Sequence, residues 1–322
     1  MRGKKLAALL LGAGLLLTLL TGCGQKEGRV RIGTGGAGGT YYAYGTVLSD
    51  VFSQVHQGPE YQVKTTAGSA ANLRLISDGY LELAIAQSDV TDEAFRGFGM
   101  FRDDPRTGYS AVASLYTEAC QIVVRADSDI RSVDDLLGRV VSVGEKESGV
   151  IYSAQAILEC CGLSFDMVQT RNLSYTDAAL ALKNGEIDAF FCTAGAPTNA
   201  VLNLSREVPV RLLSLDENQM DRLLETYSFC IPATVPAGSY AGQEEDAVTV
   251  GVRALLIASD ELEEELVYDL VSGLYDHSDA IQMGTSADTA LVLEDAAEGI
   301  TIPVHPGSAK FFAEHGVAVK EG

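Results

Sequence analysis

The stretch Val30 to Gly45, VRIGTGGAGGTYYAYG, does most to limit what this chain can fold into. A short apolar strand runs into a glycine-packed turn and from there into a helix, so backbone is exposed where most turns hide it. Gly33, Gly35, Gly36, Gly38 and Gly39, among Thr34, Ala37 and Thr40, free the main chain to turn sharply and let a ligand approach it closely. Tyr44, Leu48, Val51 and Val55 recur at helical spacing, which predicts a helix from about Thr40 with that threonine as N-cap. Such a helix points its free amides and the positive end of its dipole at whatever fills the loop.

Three readings compete for the loop. Gly33-Thr34-Gly35-Gly36-Ala37-Gly38 has the G-x-G-x-x-G spacing of a dinucleotide fingerprint. That fold wants an acidic residue about 20 positions on to hold a ribose, but the next strand, Tyr61 to Thr65, ends in Lys64 and Thr65. A P-loop is excluded, because no Lys-Ser or Lys-Thr follows the glycines. A ligand-free strand-to-helix turn is the second reading, and a site for a small anion is the third, which the rest of the chain favours.

At 322 residues, 47% hydrophobic and 21% charged, the chain is long enough for two lobes with separate cores. Its start is different. Arg2, Lys4 and Lys5 precede an apolar run from Leu6 to Leu20, too short to span a bilayer comfortably and laid out as a secretory signal. The run ends in Leu20-Thr21-Gly22-Cys23, which resembles the bacterial lipobox, whose cysteine is lipidated and becomes the first mature residue. The alternative is an N-terminal anchor that stays attached; both place the rest of the chain outside the cytoplasm. Removing residues 1–22 takes three basic and no acidic residues from the 23 Lys+Arg and 44 Asp+Glu of the whole chain, leaving a net charge of about −24. Nucleic acid is therefore not an expected partner, and membrane attachment should come from the lipid rather than from a basic face.

Beyond Cys23 there are five cysteines, Cys120, Cys160, Cys161, Cys192 and Cys230, which cannot pair completely. Free buried thiols are expected, since Cys160 and Cys161 are adjacent and Cys120 and Cys192 sit in apolar strand-like runs. No C-x-x-C occurs, and His56, His277, His305 and His315 are scattered, so neither a metal nor a cofactor is expected.

Strand, small-residue loop and helix then repeat. Strands are expected at Tyr61 to Thr66, Leu83 to Ala86, Val140 to Val143, Ile187 to Thr193, near Val210 and from Val248 to Ala258. The apolar run Ala111 to Arg125 has the length of a crossing between lobes. Helices are expected after Ala67 to Asn72, after Ser88 or Asp89 as caps, after the capping box Ser132-x-x-Asp135 and after Gly149. Others are expected from Pro197 in a first turn, near Asp216, from Asp260 to Tyr275, and after Ser286 and Gly307. The segment Ile231 to Gly242 carries prolines. One plan occurs twice: Ser77-Asp78-Gly79 and Lys183-Asn184-Gly185 each end a helix, meet an acidic residue and enter a buried strand. Two similar α/β halves with loops at the carboxyl ends of parallel strands place a ligand in the crevice between them.

The segments GTGGAGGTYYAYG, NLRLISDGYLELAIAQSD, ASLYTEACQIVVRADSDIRSVDDLLGRVVSVGEKESGV, DAFFCTAGAPT and IPVHPGSAKFFAEHGV span nearly all of the chain beyond Cys23. In this order they resemble the TAXI family of solute receptors, the extracytoplasmic binding proteins of one class of TRAP transporter. The resemblance implies an α/β fold of the two-lobed periplasmic-binding-protein type (type II-like). Its cleft would close on glutamate or a similar carboxylate and hand it to a membrane permease. It divides the chain into a signal peptide at 1–22, a lipidated linker at 23–28, lobe 1 at 29–116 and 248–322, and lobe 2 at 117–247. Ala196 stands where relatives often carry a bulkier His or Tyr before the proline, which bears on ligand size.

The candidate ligand-binding residues are Gly36, Tyr41, Tyr42, Ser69, Asn72, Gln87, Ser88 and Asp89 from the first half, and Glu147, Ser148, Gly149, Gly195, Pro197 and Thr198 from the second. Asp89 could take a ligand amine or only cap a helix; Ser69, Asn72 and Ser148 could likewise only cap. An exported enzyme is the rival class, against which stands the absence of G-x-S-x-G, S-x-x-K and H-E-x-x-H. A lipid-anchored sensor on the same fold is the other alternative.

Overall fold

The computed structural model describes residues 28–319. Cys23, the signal segment and all but Gly28 of the linker lie outside them. The first half comprises β1 (Arg29–Gly33), α1 (Thr40–Val55), β2 (Glu60–Lys64), α2 (Ser69–Ser77), β3 (Leu83–Gln87) and α3 (Ser88–Arg96). The apolar crossing is β4 (Tyr109–Arg125), one strand of 17 residues. The second half runs β5 (Val140–Ser142), α4 (Val150–Cys160), β6 (Gln169–Arg171), α5 (Tyr175–Asn184), β7 (Ala189–Ala194), α6 (Asn199–Ser205), β8 (Val210–Leu212), α7 (Glu217–Thr226) and β9 (Ile231–Val235). Then β10 (Ala247–Ser259) returns, followed by α8 (Glu264–Asp276), α9 (Ser278–Met283) and α10 (Pro306–His315).

The strand order β2-β1-β3-β10-β4-β7-β5-β6 reads as one plan laid down twice, back to back. In each copy three strands run parallel and a fourth, β10 or β4, closes the set antiparallel. β4 and β10 pair with each other from Tyr109↔Ser259 to Ala119↔Gly251. Past that point β4 turns to β7 and β8 while β10 turns to β9. At the parting, a Cβ on Gly251 would meet the Glu118 carbonyl oxygen at 2.7 Å, so only glycine lets the two strands lie this close.

Each lobe buries both faces of its sheet. In the first, Tyr44, Leu48 and Phe52 of α1 pack with α8 and Phe312 on one side, and Leu73, Ile76 and Val90 of α2 and α3 pack on the other. In the second, adjacent Phe191 and Phe190 divide between the α4–α7 side and the α5–α6 side, as the two-residue period of a strand requires. The doubled helix ends also match: Gly79 and Gly185 both hold positive φ, +75° and +73°, where a side chain would be strained.

Several expected boundaries move for identifiable reasons. Thr40 is the first helical residue and Gly39 the N-cap, because the Thr40 hydroxyl donates to the Gly195 carbonyl at 3.0 Å instead of capping. Neither Ser88 nor Asp89 caps α3; Gln87 is its N-cap, and Asp89 Oδ1 accepts from the next amide, Val90 N. The Ser132/Asp135 capping box forms but heads only the 3-10 turn Val133–Leu136. Pro197 lies before α6, after a cis Ala196–Pro197 bond, and Thr198 is the N-cap. The proline segment after Ile231 is β9, paired with β10 alone, an edge position that tolerates Pro232. No helix starts directly after Ser286. Gln282 donates to the Ala287 carbonyl and accepts from Thr289 N at 2.7 Å, tying that segment as a loop before the 3-10 turn Leu293–Asp295. The five cysteines are unbridged; Cys120 and Cys192 are buried, and the other three are half-buried.

Candidate functional site

Four helices begin where parallel strands end: α1 after β1 and α2 after β2 in one lobe, α4 after β5 and α5 after β6 in the other. Their first turns converge on one cavity of about 630 Å³, counting its open mouth. The glycine loop from Gly35 to Gly39 forms one wall. Gln87 and Thr193, from β3 and β7, and Glu118 of β4 also line it, with Glu145, Leu173 and Ala194. Two lobes thus each supply two helix dipoles to one space. A dipole contributes about 0.3–1 kcal/mol when exposed and up to ~2 kcal/mol when partly buried, whereas micromolar binding needs about 8 kcal/mol. Direct hydrogen bonds and exclusion of water must supply the remainder.

A buried acid stands among these polar walls. Glu118 is 1% exposed. Its Oε1 accepts from the Tyr41 hydroxyl at 2.5 Å and its Oε2 from Gln87 Nε2 at 3.3 Å. Ser69 Oγ ties the group together, accepting from Gln87 N at 3.1 Å and lying 3.4 Å from the Tyr41 hydroxyl. No lysine, arginine or histidine lines the cavity. Burial therefore pushes the Glu118 carboxyl up to about 8, with Asp89 adding repulsion, and pushes the Tyr41 phenol well above its ordinary value. Glu145, at the rim, is also raised by burial, and by Asp177. Gln87 Oε1 is buried without a hydrogen-bond partner.

Contacts across the mouth hold the lobes together. Ala200 N donates to the Gly38 carbonyl and Ala71 N to the Glu147 carbonyl, both at 3.0 Å. Arg74 Nε pairs with Glu147 Oε2 at 3.0 Å. A Cβ on Gly149 would meet Gln87 Oε1 at 2.0 Å and Ser69 Oγ at 2.9 Å, so at this point one lobe rests directly on the other.

The cavity brings together Gly36, Tyr41, Ser69, Gln87, Ser148 and Gly149 from the sequence candidates. The Ser148 hydroxyl is already committed, donating to the Glu145 carbonyl at 2.6 Å. The other candidates lie outside the lining. Tyr42, one position past Tyr41 on α1, is half-buried away from it. Asn72 is fully buried and donates to the Thr34 and Ile85 carbonyls, joining the end of β1 to the middle of β3. Ser88 is buried in α3, and Asp89 faces a second cavity. Glu147 and Gly195 serve as latches between lobes through Arg74, Ala71 and Thr40. The Pro197 carbonyl accepts from Ser286 Oγ, and the Thr198 hydroxyl donates to the Gly195 carbonyl at 2.8 Å.

Glu118, Tyr175, Thr176 and Thr193 line the site and were not among the candidates. Glu118 did leave a signal, as the only acid in the apolar run from Ala111 to Arg125, where an unpaired charge is costly.

On the same fold stands a protein of Bordetella bronchiseptica RB50, with a TM-score of 0.58 at 13% identity over 89% of this chain and 98% of that one. A structure described as a periplasmic transporter reaches 0.56 at 14% identity, covering 90% and 93%. The alkanesulfonate-binding protein SsuA of Xanthomonas axonopodis pv. citri, bound to MOPS, gives 0.50 at 17% identity, covering 89% and 83%. At these identities the likeness is one of fold: two lobes with a ligand cleft between them. Residues 32–316 match the model of the NMT1-like family, and the chain belongs to that family.

Proposed function

We propose that this chain is an extracytoplasmic solute-binding receptor, not an enzyme, whose lobes close on a small carboxylate that also carries an ammonium group, of the glutamate type. One observation carries the reading: four helix N-termini from two lobes converge on a cleft that contains a buried, raised-pKa carboxyl, Glu118. The solute carboxylate lies against the glycine loop and the helix starts, where amides and dipoles favour an anion. Its ammonium group faces Glu118 and the unpartnered Gln87 Oε1. Glu118 stays protonated until the ammonium arrives, so the empty cleft does not repel an acid in a strongly acidic protein.

The SsuA structure, which shares the fold, is bound to MOPS, a molecule that carries a sulfonate group, and this is in keeping with an acidic solute. Delivery to a TRAP-type permease rests on the segments that resemble the TAXI family. The lobes are then 29–116 with 248–322, and 117–247, hinged where β4 and β10 part. A screen of amino acids and organic acids by thermal unfolding tests the function: a ligand at about a hundred times its Kd stabilises the fold by ~2.7 kcal/mol. No stabilisation by any amino or organic acid would sink the reading.

The receptor is held at the membrane by a lipid on Cys23. Among the described residues no helix is long and apolar enough to cross a membrane. Cys23→Ala is expected to move the protein from the membrane fraction to the soluble one, as shown by immunoblotting after a carbonate wash. Retention of the variant in the washed membranes contradicts lipid attachment.

A further inference from the structure

A second cavity opens between α3, α4 and the chain that leaves α7, with about 1330 Å³ of space counting its mouth. It shares only Thr193 with the first cleft. Asp89 and Glu93, one turn apart on α3, are its two carboxyl groups, and no lysine, arginine or histidine lines it. Hydroxyls surround them. Thr193 is 3% exposed and Ser153 9% exposed, yet neither Oγ atom has a hydrogen-bond partner, while the Tyr152 hydroxyl and the Glu93 carboxyl face each other. Buried polar atoms left this way are rare in native proteins and mark places where water or a ligand completes the bonding.

Both acids also lack a neutralising partner. Burial pushes Asp89 up to about 7, with Glu93 adding repulsion, and burial raises Glu93 as well. Glu118, in the neighbouring cleft, and Asp89 also repel each other. Among the described residues no group of three or more His, Cys, Asp and Glu is placed to hold a metal ion, and the space is far larger than a bare ion fills. An ammonium group on a carbon chain fits the combination: it brings the missing charge, donates to carboxylate and hydroxyl oxygens, and fills volume with methylenes against Ile151 and Val252.

We propose that this cavity is a binding site for an organic cation with a primary ammonium group, held by Asp89 and Glu93 and by the hydroxyls of Tyr152, Ser153 and Thr193. Because α3 belongs to one lobe and α4 to the other, an occupant spans both.

Calorimetric titration of the full protein with 1,4-diaminobutane, against 1,4-butanediol at matched ionic strength, tests this. Saturable binding of the diamine below about 10 mM, with none of the diol, is expected. Glu93→Gln should weaken diamine binding about tenfold or more, whereas Gly36→Val, which alters the other cavity, should leave it unchanged. If Glu93→Gln does not fold, Asp89→Asn carries the same expectation. Absence of saturable diamine binding, equal binding of diol and diamine, or undiminished binding by the folded carboxyl variant overturns the proposal.

Discussion

Replacing Gly149 with valine is expected to abolish solute binding while leaving the unliganded protein folded. Gly149 sits at φ −72° and ψ −26°, an ordinary conformation for any residue, so a side chain there meets no backbone strain. Its obstacle lies in the other lobe. The added Cβ would stand 2.0 Å from Gln87 Oε1, 2.5 Å from Gln87 Cδ and 2.9 Å from Ser69 Oγ, and Gln87 is itself held to Glu118. With the lobes apart, none of these atoms is near. The substitution therefore acts on closure, and closure is what brings the second pair of helix starts to the solute and excludes water. Losing that contribution should lower affinity more than about a hundredfold, since half of the site no longer forms. Calorimetry reads the affinity, and thermal unfolding without ligand should move by no more than a few degrees. Wild-type affinity in the valine variant would show that closure at this point does not matter.

The second large effect is on pH dependence. In the empty cleft the Glu118 carboxyl is raised to about 8, so at neutral pH it is mostly protonated. To face an ammonium group it must ionise, and binding then releases a proton. Affinity for an amino acid should accordingly rise with pH and level off above about 8, by ~50-fold between pH 6 and pH 8 if the bound carboxyl is fully ionised. A deaminated acid in the same cleft gives the opposite sign, because its charge favours the protonated carboxyl. Asp89, which repels Glu118, is itself raised to about 7 and adds to the titration in this window. Tyr41, Tyr116, Tyr175 and Cys192, which also feel Glu118, are all pushed upward by burial and stay neutral there. Glu118→Gln keeps the shape and removes the charge. The unpartnered Gln87 Oε1 can accept from the new amide after a flip, so the fold should survive. Titrations across this range should find the variant weak and nearly flat with pH. The same raised pKa makes the empty wild type lose stability as pH rises from the ordinary carboxyl range to about 8, because the native state holds the proton longer than the unfolded chain. The variant should lack that loss.

The alternation of strand and helix was legible because it is written in local terms: apolar runs, small-residue loops and the paired Asp78-Gly79 and Asn184-Gly185 helix ends. The glycine loop was legible as a binding wall for the same reason, since no side chain could serve there. What local reading could not give was which polar residue faces across the cleft and which faces inward. Asn72, Thr198 and Gly195 have the right composition for a ligand site, but their partners are the Thr34 carbonyl, Gln121 and Thr40, fixed only by tertiary packing. Tyr175 and Thr176 carry no glycine signature and reach the cavity because α5 repeats the position of α2. Glu118 was hidden by its surroundings: a strand read as an apolar crossing absorbs one acid without losing its pattern. A buried lone carboxylate was the stronger clue.

Calorimetric titration of the wild type and of Gly36→Val with a panel of amino acids and their deaminated counterparts tests the proposed cleft most directly. Gly36 lines the cavity and a Cβ there meets nothing within 4 Å, so a valine is expected to take up cavity space and leave the fold intact. Binding of an amino acid by the wild type at about micromolar Kd, with proton release below pH 8, is expected. The valine variant should lose that binding while its unliganded melting temperature stays the same. A solute that binds Gly36→Val as tightly as the wild type would place the site elsewhere and contradict the proposed cleft.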